Sequence, residues 1–195
     1  VHEDSVGLSV DPNLGDFLVP GPPYWFGEKS RATAVPIPRE FSATVHAIDA
    51  SDGSLVWRSS VGDHPDATIT GSPKLHEGSL YVPISSSEWA TAADPGYACC
   101  TFRGGVASVD AASGELNWRA HVIEEPAVET GETNPFGAAR KGPAGAPVWN
   151  SPTIDADRGV LYVGTGEGYT SAAADTSDAV VAFALETGER RWAKQ

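Results

Sequence analysis

An all-β chain built by repetition is what the sequence predicts, and three observations carry that expectation. Glycine and proline are abundant, 21 and 15 among 195 residues, and their short clusters favour many turns and short strands over long helices. One turn-and-tryptophan pattern occurs three times. A pair of short apolar stretches joined by a polar turn occurs twice.

Residues 1–44 read as an irregular N-terminal segment with short strands at Val6–Val10 and Asp16–Val19, separated by Asp11, Pro12 and Asn13. Pro20, Gly21, Pro22 and Pro23 break any regular element, because proline supplies no ladder donor. The aromatic cluster Tyr24, Trp25 and Phe26 that follows reads as a packing anchor.

The repeats occupy residues 45–195. Val45–Trp57 recurs as Val106–Trp118 and again as Val180–Trp192. Asp49 and Asp110 each precede a glycine by four residues and a tryptophan by eight, whereas Ala184 replaces the aspartate in the third copy. An apolar strand entering a turn explains the pattern. The aspartate accepts backbone N–H groups, Gly53, Gly114 or Gly188 supplies positive φ, and the next strand carries the tryptophan into a sheet interface. Each motif is expected to close one four-stranded unit.

The second repeat runs from Thr70, Gly71, Ser72 and Pro73 through Leu80, Tyr81 and Val82 to Ser85 and Glu88. It returns as Trp149, Asn150, Ser151 and Pro152, then Leu161, Tyr162 and Val163, then Gly164, Thr165, Gly166 and Glu167. Thr70 and Trp149 therefore stand in equivalent places before a strand pair, as do Glu88 and Glu167 just beyond one. In a propeller, equivalent ends of inner strands converge on one mouth of the channel. The turn motifs stand 61 and 74 residues apart, longer than the roughly 40–50 of compact blades, so insertions are expected at Glu88–Tyr97 and Glu124–Ala146.

Composition excludes some partners. A formal net charge of −13 argues against nucleic acid, because phosphate binding needs a basic surface. No apolar run approaches the length of a membrane span. The chain opens at Val1 without a leader pattern, and is expected to be a processed form or an excised piece of a larger protein.

The three hairpins resemble the tryptophan-docking motifs of pyrroloquinoline quinone (PQQ) dehydrogenases, whose catalytic domain is an eight-bladed β-propeller. The resemblance covers about Val45 to Gln195 and is nearest the polyvinyl alcohol dehydrogenase branch, in which a run like Cys99–Gly104 precedes a docking motif. It implies about three blades of a presumed eight.

Carried over position by position, the resemblance implies that Thr70 and Ser85 bond the quinone, Trp149 forms the floor under its ring, and Glu88 ligates a metal ion. Glu167 falls where the family has Asn or Asp as a second ligand. Its extra methylene and full charge still suit calcium, which takes oxygen donors in flexible geometry, or a more highly charged lanthanide ion. Arg103 is expected either to meet a quinone carboxylate or to pack against Asp110.

Cys99 and Cys100 leave three readings open: a disulfide lid over the quinone, a disulfide that only stiffens a loop, or two free thiols. Neighbouring Cα atoms lie about 3.8 Å apart, so a bond between them closes a small ring. No CxxCH occurs, so no c-type haem is expected within the chain. The family's catalytic aspartate lies beyond the third docking motif, and the base is expected after Gln195.

The function implied is a segment of a periplasmic or secreted quinoprotein dehydrogenase oxidising alcohols, polymeric ones included, and passing electrons to a cytochrome c. The alternative is a non-catalytic PQQ-like propeller serving as scaffold or sensor. Taken singly, Glu88 also reads as a solvated loop acid, Trp149 as core and Glu167 as a turn residue.

Overall fold

The computed structural model describes residues 16–18, 43–170 and 174–195. The expected strand at Val6–Val10 and the aromatic cluster Tyr24, Trp25 and Phe26 lie outside the described residues.

The strands pair antiparallel throughout. β1 (Asp16–Leu18), β2 (Thr44–Ile48) and β3 (Leu55–Ser60) form a three-stranded sheet in that order. A five-stranded sheet follows, with β4 (Ala67–Thr68) and β5 (Lys74–His76) both paired to β6 (Ser79–Ser86), then β7 (Gly105–Asp110) and β8 (Leu116–His121). The third sheet runs β11 (Thr153–Asp155), β12 (Val160–Gly164), β13 (Val180–Ala184), β14 (Arg190–Lys194). Both expected insertions are built. One holds the short helix α1 (Glu88–Thr91), and the other the hairpin of β9 (Val128–Thr133) and β10 (Ala139–Gly142).

Burial follows from stacking of the sheets. The second sheet is covered on both faces, which is why β6 reads as the continuous apolar run Leu80–Ile84 rather than an alternation. Leu80, Val82 and Ile84 enter one core with Val45, Trp57 and Val109, while Tyr81 faces a second core with Val106, Leu161, Val181 and Phe183. Burying each large aliphatic or aromatic side chain contributes about 1.5–3 kcal/mol, so these two seams hold the sheets side by side.

The hairpin turns fix the register between sheets. Asp110 Oδ1 accepts the N–H groups of Ala112 and Ser113, and Asp49 Oδ1 accepts that of Ser51. Bonds from Ser113 and Ser51 hold these carboxyls below their usual range. Gly53, Gly114 and Gly188 have φ of 76°, 76° and 71°. Ala184 offers no such acceptor, yet its turn closes on the same backbone bonds, Ala184 N–H to Glu189 O and Gly188 N–H to Ala184 O.

Two of the three indoles then lie on the turn of the following sheet. The Trp57 ring covers Gly114 and its Nε1–H donates to Ala111 O at 3.1 Å; Trp118 covers Gly188 and donates to Leu185 O at 3.0 Å. A methyl group at Gly114 would sit 2.6 Å from the Trp57 ring, whereas one at Gly53 would meet nothing within 4 Å. Gly114→Ala in the intact protein is therefore expected to cost about 2–4 kcal/mol, from left-handed strain plus overpacking. Gly53→Ala is expected to cost about 1 kcal/mol, from the backbone alone. Urea unfolding of the two variants side by side checks the difference.

Candidate functional site

The residues singled out by the paired-strand repeat are gathered around residues 144–150. Val148 N–H donates to Ile84 O at the end of β6, and Ala146 N–H donates to Glu167 O beyond β12. Gly104 N–H donates to Gly145 O, and Gly145 N–H returns to Phe102 O. The backbones that carry Ser85, Phe102 and Glu167 are thus stitched to one strand-like run. No side chain would fit at Gly104, where a Cβ would collide with Ala146 O.

Thr70 and Trp149 are neighbours through their followers. A Cβ at Gly71 would lie 2.6 Å from Asn150 O, and Ser72 N–H donates to Ser151 Oγ at 3.1 Å. Asn150 Oδ1 also accepts Gly164 N–H at 3.2 Å, tying this turn to the end of β12. Trp149 is 64% exposed, and Thr70 is exposed beside it. Ser85 is buried within β6.

Glu88 is turned the other way. It is 0% exposed, and its carboxylate accepts Tyr97 Oη–H at 2.8 Å, Thr101 N–H at 2.7 Å and Phe102 N–H at 2.9 Å. Thr101 Oγ1 stands 3.4 Å from the same Oε1, and His64 Nε2 is 3.6 Å away. His64 Nδ1 accepts Asp66 N–H, so the ring proton sits on Nε2 and is directed at Thr101 Oγ1, 3.0 Å away. Asp66 also anchors α1, accepting Thr91 Oγ1–H and, at its carbonyl, Ser87 N–H.

Cys99 and Cys100 are joined by a disulfide, which removes the free-thiol reading. The pair is sewn to β10 by Cys100 N–H to Lys141 O and Lys141 N–H to Cys99 O. Arg103 does not pack against Asp110; its Nη1 donates to the carbonyls of Ile123 and Glu124. Arg103 stands just before β7, whose far end carries Asp110, and antiparallel pairing brings the carbonyls just beyond β8 beside it, while the Asp110 carboxylate is used by its own turn.

Glu167 is exposed, and its negative charge acts on Tyr169 two residues later. Tyr169 stacks near Phe102 with ring centroids 6.3 Å apart and contributes to the first core seam. Its phenol is pushed up to about 12, by burial first and then by the charge of Glu167. Tyr97 is likewise raised, by burial and by its bond to Glu88. Sequence reasoning missed Tyr97, Thr101, His64 and Tyr169. Only proximity of Tyr97 and Thr101 to the cysteine pair could have pointed to two of them.

The fit of the implied groups divides. An exposed indole and an exposed hydroxyl on adjoining stretches of chain suit a planar quinone. The metal pair is different. A carboxylate has about four lone-pair positions, and three short bonds already occupy most of those on Glu88, while Glu167 faces solvent. Among the described residues no group of three or more His, Cys, Asp or Glu could hold an ion. Glu88 as placed does not fit a metal, and no chemical step is derived through one.

The raised phenols have a consequence for alkaline stability. A phenol whose folded pKa lies above the unfolded value of 10.0 stabilises the fold fully below about pH 10, and that contribution is lost as pH rises toward about 12. Tyr169 is half-buried, so the effect is discounted to about 1 kcal/mol. Tyr169→Phe is expected to lessen the fall in unfolding free energy between about pH 10 and about pH 12, as read by denaturant titration.

Residues 91–195 match the family model described as "PQQ: Glucose/ethanol/alcohol dehydrogenase, beta-propeller domain". A polyvinylalcohol dehydrogenase of Pseudomonas sp is 43% identical over 150 residues, covering 76% of this chain and 23% of that protein. One from Sphingopyxis sp. (strain 113P3) is 38% identical, covering 80% of this chain and 24% of its own length. This chain therefore spans about a quarter of those relatives. The quinohemoprotein alcohol dehydrogenase of Comamonas testosteroni shares the fold, with a TM-score of 0.56 at 23% identity over 80% of this chain and 25% of that one. A europium-containing methanol dehydrogenase gives 0.55 at 19% identity, over 80% of this chain and 29% of that one. With two indole-on-turn contacts, stacked antiparallel sheets and a family match over more than half its length, the chain belongs to the PQQ β-propeller family of glucose, ethanol and alcohol dehydrogenases.

Proposed function

We propose that this chain forms part of the catalytic propeller of a quinoprotein alcohol dehydrogenase, and that it contributes one wall of the PQQ pocket. The observation that carries the reading is that exposed Trp149 and exposed Thr70 stand on adjoining stretches of chain, whose main chains meet at the Gly71–Asn150 contact. A flat aromatic face stacks on a planar ring system, and a neighbouring hydroxyl can donate to a carbonyl at its edge.

When bound, the quinone would supply the two-electron acceptor for oxidation of an alcohol. This chain's own residues hold and orient it: Trp149 as platform, Thr70 as donor, and the Gly71 and Gly104 crossings as the places where backbone replaces side chain. The Cys99–Cys100 loop stands beside Glu88 and β10, at the end of β6 that carries Ser85. A lid over the quinone is the role this placement supports for the disulfide, with Arg103 a further candidate contact.

The names of the relatives favour an alcohol as substrate, a polymeric one included. Glu167 is the exposed acid this chain offers to calcium or a lanthanide ion. A cytochrome c as acceptor and a periplasmic or secreted location complete the proposal; the strong negative charge suits a basic protein partner.

In the intact protein supplied with PQQ and Ca²⁺, primary, secondary and polymeric alcohols are expected to reduce an electron-accepting dye. Trp149→Ala is expected to weaken quinone binding by roughly tenfold to a hundredfold, as stacking on an aromatic ring is worth about 1–3 kcal/mol. Titration of PQQ by its absorbance measures this without turnover. Intact protein that takes up no PQQ with any metal would instead support a scaffold or sensor.

A further inference from the structure

The sequence pattern makes Glu88 a metal ligand, but its surroundings are those of an internal anchor. Among the described residues it is the one charged side chain in the buried set, at 0% exposure, on the first residue of a helix only four residues long. Its oxygens are turned toward the chain that follows the disulfide. Three donors from one loop converge on it: the Tyr97 hydroxyl two residues before Cys99, and the Thr101 and Phe102 N–H groups directly after Cys100. A carboxylate buried without partners would be untenable, whereas charge-assisted bonds of 2.7–2.9 Å from two main-chain amides and a phenol satisfy it without an ion.

Further groups crowd Oε1, the oxygen that accepts Tyr97 and the Thr101 N–H, while Oε2 accepts Phe102 N–H. His64, held by Asp66 N–H, directs its Nε2 proton at Thr101 Oγ1, which in turn stands against Glu88 Oε1. Glu88 N–H donates to Ser86 Oγ, fixing the start of the side chain to the end of β6. The loop is thereby held from two directions, by Glu88 on one flank of the cysteines and by the Lys141 main chain on the other.

We propose that Glu88 is a positioning residue for the Cys99–Cys100 loop and not a metal ligand: its carboxylate fixes the disulfide relative to the end of β6. Tyr97, Thr101 and Phe102 are its donors, and any ion in the intact protein is held by other residues.

The anchor is independent of the quinoprotein reading, and only the metal-content arm of its test rests on that reading. In Glu88→Gln the carboxamide presents a donor where amides and a phenol already donate. Hydrogen exchange at the peptide containing Thr101 and Phe102, measured by mass spectrometry on the intact protein, is expected to rise by about tenfold or more. Reduction of the Cys99–Cys100 bond by a small phosphine, followed by alkylation, is expected to quicken in the same variant. Stoichiometric metal content is expected to stay unchanged. Unaltered exchange would overturn the proposal, and so would loss of the metal from Glu88→Gln. Should that variant not fold, Tyr97→Phe removes one donor and leaves the carboxylate. A rise of about threefold in exchange over the same peptide supports the anchor, and no change rejects it.

Discussion

An indole laid across a glycine turn is the contact on which the rest of this structure depends. Trp57 on Gly114 and Trp118 on Gly188 each join the outer strand of one sheet to the closing turn of the next, with a hydrogen bond from the ring nitrogen to a turn carbonyl. A ring resting on a turn without Cβ has one favourable depth and one orientation. The contact therefore sets spacing and rotation between sheets, while the apolar seams on either face of β6 and β7 supply the attraction. Once the sheets stand in this order, the ends of β6 and β12 reach the 144–150 run without further design.

The polar side chains at that end are divided by burial. Trp149, Thr70 and Glu167 face outward, where a small molecule could meet them. Glu88 faces inward and is consumed by the chain's own amides. The same sheet end thus presents exposed side chains and, behind them, a buried carboxylate bonded to the loop that follows the disulfide.

Much of the fold was legible because its signals are local. The aspartate-to-glycine-to-tryptophan spacing encodes a turn, a positive φ and an outer strand, and it survives the change at Ala184 because the backbone closes that turn by itself. The pairing of Thr70 with Trp149 was readable from their equivalent places in two copies. The environment of Glu88 was not, because one donor, Tyr97, comes from an insertion that has no counterpart in the repeat, and the other two are main-chain amides, which leave no mark in a sequence. The helix α1 was hidden for a similar reason, being short and fixed by Asp66 from a different strand connection. Arg103 shows the limit of spacing arguments. Its nearest carboxylate in sequence was already engaged, and carbonyls at the end of β8 took its place.

The hairpin of β9 and β10 springs from the segment after β8, yet it is bound to the cysteine pair through Lys141 and to Pro95 through the Asn134 amide. It adds nothing to the seams between sheets. Changes in its length or tip would reshape the rim without disturbing how the layers nest. Layering and rim shape are thereby uncoupled, and one scaffold could carry a different rim by exchanging a single excursion of the chain.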